Sequence, residues 1–149
     1  MYKISKFIAS FFFALNIYSA ELAPLSEYMI KADPNDPVSV EVISKRCSSI
    51  NLAMTRFSRE GDQVYELALQ NYLAWFYIAT EARALKYPND HPIKSAENIR
   101  DSILNITEEI DKQFTQNQDF TGSLFEGTYL EDDIKICGQM MKEIAGIKD

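Results

Sequence analysis

Residues 62–87 read DQVYELALQNYLAWFYIATEARALKY and hold the chain's only tryptophan, Trp75. Within them, 72–79 is an unbroken run of eight apolar residues. A bilayer crossing needs about 20, and Glu66, Gln70 and Asn71 lead into the run, so the stretch predicts a buried helix. Val64, Leu67, Ala68, Trp75, Ile78, Ala82 and Leu85 share one helical face; Tyr65, Leu69, Tyr72, Phe76 and Ala79 share the next. An apolar arc this wide predicts a helix that touches two or three neighbours, and so the element the rest of the chain packs around.

Its upstream neighbour is a helix predicted over 37–60. Asp36 is a good N-cap, and Pro37 sits at the first helical position, where its missing N–H costs nothing. Ile43, Cys47, Ile50, Met54 and Phe57 step by four, three, four and three, which is a core stripe. Gly61 suits the position after the helix and Asp62 caps the next one. A connection this tight makes the two helices antiparallel.

Downstream, the two prolines of 87–95, YPNDHPIKS, mark a linker. A third helix is expected from Pro92 or Ala96 to Gln116, with Ile99, Ile103, Ile106, Ile110 and Phe114 inward. A second linker, 117–127, reads NQDFTGSLFEG. Two capping boxes compete at its end, Ser123 with Glu126 and Thr128 with Glu131. The first would bury Gly127 in a helix at about 1 kcal/mol, so the second start is expected and the fourth helix runs over 129–145. Its stripe is Leu130, Ile134, Cys137, Met141 and Ile144. Near-equal helices with short links predict an all-α, antiparallel (up-down) four-helix bundle over 37–149, preceded by a lead-in at 21–36.

Residues 1–20, MYKISKFIASFFFALNIYSA, carry Lys3 and Lys6, then an apolar stretch over 7–17, then Ser19 and Ala20. That pattern predicts a secretory signal peptide, although bulky Tyr18 or Ile17 would stand third before the cut. Without Lys3 and Lys6 the chain has 13 basic against 22 acidic residues, a net of −9. Such a charge repels phosphate backbones and anionic membrane surfaces, so neither nucleic acid nor stable membrane insertion is expected. An exported chain with two cysteines pairs them. Cys47 and Cys137 each lie mid-helix on a core stripe, so the first and fourth helices are expected to be joined there.

The residue inventory removes several chemistries. The one histidine, His91, lies in a proline-flanked linker. Zinc sites, di-iron bundles, covalent haem and a serine triad all lack their ligands or motifs, and no phosphate-binding glycine loop occurs. No cofactor or metal is expected. Carboxylate pairs remain, Glu131, Asp132 and Asp133, or Glu108 and Glu109, but acids at helix starts answer first to the helix dipole. Asn105-Ile106-Thr107 matches a glycosylation sequon in mid-helix, with its central residue on the core stripe.

The expected function is therefore a non-catalytic, exported macromolecule-binding protein of inhibitor, chaperone or adaptor type, with another protein or a second copy as partner. A carboxylate-dependent enzyme and a membrane-tethered structural protein with a retained N-terminus are the alternatives. Two candidate partner-binding places stand out. Leu73 and Tyr77 share a face with Glu66, Gln70 and Thr80 and need a cover; the lead-in, through Leu25, Tyr28 and Met29, is the expected one. Phe120 and Phe125 lie on the glycine-bearing second linker, either presented as anchors or, as burial statistics favour, folded back as plugs of the open core end.

Overall fold

The computed structural model of the protein describes residues 22–146; the expected signal peptide, 1–20, lies outside them. The described chain is all-helical, with five helices: α1 (Leu25–Met29), α2 (Pro37–Phe57), α3 (Gln63–Lys86), α4 (Pro92–Thr121) and α5 (Tyr129–Ile144). The lead-in thus contains a helix of its own.

The helix starts follow the local sequence. The Asp36 carboxylate accepts from Val38 N at 3.2 Å and Ser39 N at 3.1 Å, capping α2. His91 precedes Pro92, and its Nδ1 accepts from Ile93 N at 3.3 Å, so the lone histidine serves as a helix cap. Thr128 stands before α5 as the second capping box predicts, but in altered form. Glu131 Oε2 reaches back to Gly127 N, while the Thr128 hydroxyl donates to Phe125 O. Asp62 stands at the N-cap of α3 without a side-chain capping bond.

The hub of the molecule is α2 rather than the expected α3. Eleven of its 21 residues are buried, against four of 24 in α3, namely Ala68, Trp75, Ala79 and Ala82. The physical reason is the row of small polar residues on α2. Ser48 Oγ donates to Tyr72 O at 3.1 Å; each residue is a dozen positions from the intervening turn, as in an antiparallel pair. Ser49 Oγ lies 3.1 Å from Ile103 O, and Thr107 Oγ1 lies 3.4 Å from Ser49 O. These buried hydroxyls let α3 and α4 approach α2 closely while satisfying their own polar atoms on backbone carbonyls. Thr107, the hydroxyl residue of the sequon, is accordingly buried and bonded. Larger side chains on α3 are left outside: Val64, Leu67 and Leu85, expected to point inward, are exposed.

One core unites α1, α2, α4 and α5 around Ile43, Cys47, Ile50, Phe114, Leu130 and Cys137, with Trp75 of α3. A smaller one joins Ala79 to Ile99 and Ile103. Cys47 and Cys137 form a disulfide between α2 and α5, with Cα atoms 5.4 Å apart.

Candidate functional site

The expected site residues separate into different environments. Phe125 is half-buried, its ring 6.2 Å from that of Phe114, which in turn meets Phe57 edge-on at 5.6 Å. It plugs the end of the core. Phe120 does not: it is 89% exposed. It also does not lie on a linker, because α4 continues five residues past Gln116, to Thr121, and ends at Gly122 with φ +79°. Asn117 Nδ2 donates to Ser123 O and Glu126 O, tying the shortened connection back onto the helix.

Leu73 and Tyr77 are 54% and 64% exposed. The lead-in does not cover them. It packs instead on α5 and the main core, because a buried carboxylate holds it there: Asp133 Oδ1 accepts from Leu25 N at 2.8 Å. The other oxygen of Asp133 accepts from Arg46 Nε at 2.9 Å and from its terminal nitrogen at 2.7 Å. The guanidinium sits 5.4 Å from the centre of the Tyr129 ring. Asp133, grouped in the sequence with the acids of the helix start, is fully buried, and Arg46 is buried with it. The sequence did carry a signal. Position 46 falls on the inward side of α2 beside Cys47, and 133 lies one turn before Cys137, next to Ile134 of the α5 stripe. A cation thus stands beside one cysteine and an anion one turn from the other.

The remaining acids do not assemble into an acid–base pair. Glu131 pairs with Lys135 at 2.8 Å. The Lys135 hydrogen bond and then Gly127 N–H hold its carboxyl below the usual range, the reverse of what a general acid requires. Asp132 is exposed, Glu108 is exposed, and Glu109 pairs with Lys112. Among the described residues no group of histidine, cysteine and acidic side chains could hold a metal ion.

Sequence reading missed a cavity of about 360 Å³ between the lead-in and three helices. Its floor is Ile43 and Ser44 of α2 and Trp75 of α3, all buried. Val40, Ile78 and Met140 form walls, while Met29, Pro34 and Ile144, each exposed, form the rim. Two polar atoms of the floor residues, Ser44 Oγ and Trp75 Nε1, are buried with no hydrogen-bond partner.

Among the described residues no helix is long and apolar enough to cross a membrane. Comparison of the chain with family models, with curated proteins and with solved structures returns no match.

Proposed function

We propose that the protein is an exported, non-catalytic binding protein that captures another protein on the outer face of α3. The observation that carries this reading is the exposed pair Leu73 and Tyr77, one helical turn apart and left uncovered by the lead-in. Exposed Leu67 and Leu85 lie on the adjoining side of α3. Exposed apolar side chains of this size mark interaction sites, and anchors at i and i+4 suit an apolar groove on the partner. Glu66 and Glu81, both exposed, flank the pair, so the groove should carry a basic rim.

Export is supported by the N-terminal pattern and by a disulfide, which persists in oxidising compartments. The short connections between α2, α3 and α4 support an up-down arrangement of the four long helices, with α1 added to one side.

A photo-crosslinking residue at Tyr77, with Glu97 on α4 as control position, tests the partner reading in the exported fraction. A single crosslinked protein seen from position 77 alone, and lost in Leu73→Ser, is the expected result. Equal labelling from both positions sinks the reading. A product of twice the chain mass identifies the partner as a second copy. Intact mass of the same fraction checks the cut near Ala20.

A further inference from the structure

We infer that α1 and α5 form a cap latched onto the trunk of α2, α3 and α4 by the Cys47–Cys137 disulfide, and that a dithiol reductant releases the two helices as one piece while the trunk stays folded. The trunk has ties of its own. Its three helices lie closely against one another. The hydroxyls of Ser48, Ser49 and Thr107 make their bonds within it, on the carbonyls of Tyr72, Ile103 and Ser49. Ala79, Ile99 and Ile103 form an apolar cluster in which neither α1 nor α5 takes part. The cap is joined differently. α1 packs chiefly on α5, and Leu25 N donates to Asp133 at 2.8 Å, so a displaced α5 takes α1 with it.

The buried side chains of α5 are Leu130, Asp133 and Cys137. Along the same stretch run a 2.6 Å bond from the Tyr129 hydroxyl to Gln113 Oε1, the Arg46–Asp133 pair and the disulfide. Past Cys137 the seam opens into the cavity, with Met29, Met140 and Ile144 of the cap on one side and Ile43 and Trp75 of the trunk on the other. Close-packed interiors hold few such voids, and atoms that line one lack partners across it. Parting the walls there forfeits little attraction. The ion pair adds little net hold, because separating it whole returns both charges to water. The covalent bond is therefore the latch. Cys47 is fully buried and Cys137 nearly so, so a dithiol reaches the bond only when the cap rocks open locally. One thiolate then attacks a sulfur of the bond, and the second thiol of the reagent resolves the mixed disulfide. The reagent leaves as a disulfide, and the protein gains two electrons and two protons as two thiols. Freed, α5 is a 16-residue helix, which is marginal in water without packing. Its release uncovers Ile43 and Ile50 of α2. Leu73 and Tyr77 do not line the seam, so the latch does not depend on the α3 reading.

Hydrogen exchange of the full chain, read by mass spectrometry before and after reduction with dithiothreitol, tests the latch. Alkylation of the quenched sample verifies that the bond is cut. On reduction the peptides of α1 and α5 should exchange about tenfold faster or more, while those of α2 and α4 change less than about twofold. Trp75, the only tryptophan in the chain, should shift its emission to the red as its cover leaves. The full-length Cys47→Ala, Cys137→Ala variant should show the same pattern with no reductant present. Protection kept in α5 after the bond is cut overturns the latch. Equal loss in all five helices, in the reduced chain or in the variant, overturns the self-supporting trunk. Release of α5 with α1 still protected overturns the cap as one piece.

Discussion

Arg46 and Asp133 stand 87 residues apart in the chain and meet, buried, through two hydrogen bonds on one carboxylate oxygen, 2.9 and 2.7 Å long. The second oxygen of Asp133 holds Leu25 N. One carboxylate thus links three segments: the hub helix, the last helix and the lead-in. Breaking a buried pair by removing one partner leaves an uncompensated charge, at about 3–5 kcal/mol. Asp133→Leu should lose that much in urea unfolding, and should also release α1, seen as faster proteolysis at 30–36. Replacing both partners, Arg46→Met with Asp133→Leu, should be less damaging than Asp133→Leu alone. A double variant at the sum of the two single losses would show the pair to be uncoupled.

The disulfide closes a loop of 90 residues. On the chain-entropy account this stabilises the fold by at most about 4.6 kcal/mol. Cys47→Ala with Cys137→Ala should therefore lower the urea midpoint strongly, and reductant should do the same to the native protein. Two alkylatable thiols in denatured, exported protein would refute the pairing in the natural chain.

Phe120 and Phe125 should respond in opposite ways. Phe125→Ala removes a ring packed on Phe114 and should cost about 3 kcal/mol, the low end for phenylalanine truncation, because the ring is only half-buried. Phe120→Ala removes an exposed ring and should stay within about 0.5 kcal/mol. Thermal unfolding of the two single variants separates them.

Acid should weaken the start of α2. The Val38 N–H donated to Asp36, opposed by some desolvation and aided by Ser39, holds its carboxyl below the ordinary value. A depressed folded value means the cap's contribution is complete above the unfolded carboxylate pKa, about 3.9, and is lost as pH falls through the lower folded value. Asn also caps but does not titrate there. The Tm difference between the native protein and Asp36→Asn should therefore be flat above about pH 5 and shift only below pH 4. A difference that changes between pH 6 and 8 would exclude this origin.

The four long helices were legible because each signal was local: Pro37 behind Asp36, the stripes of isoleucine, the linker prolines. Their ranking was not. Residues 62–87 look central by hydropathy, yet α2 is central because Ser44, Ser48 and Ser49 are small, and close approach leaves no trace in an apolar count. Hydropathy likewise assigned Leu67 and Leu85 inward, although α3 meets its neighbours through alanines and Trp75. Phe120 was misplaced by reading Asn117 as a helix stop; the stop is Gly122, and Asn117 bonds across the turn instead. The cavity could not be read at all. Its floor residues are 31 positions apart and nothing in either local pattern points to the other.

The bonds that join α2, α3 and α4 span fewer residues, 24 from Ser48 to Tyr72 and 58 from Ser49 to Thr107, whereas the Leu25–Asp133 bond spans 108 residues and the disulfide 90. Pairings of such separation form late, because a long loop must be closed before they contribute. During synthesis α1 and Cys47 emerge first and then wait for the last helix. Until α5 arrives, Cys47 has no disulfide partner, and the helix on which it sits has an uncovered side; on the export proposed above, that thiol would meet an oxidising compartment. Oxidative folding of this chain should therefore be most vulnerable to mixed disulfides at Cys47 alone, a species that pulse alkylation and mass analysis of refolding intermediates would reveal.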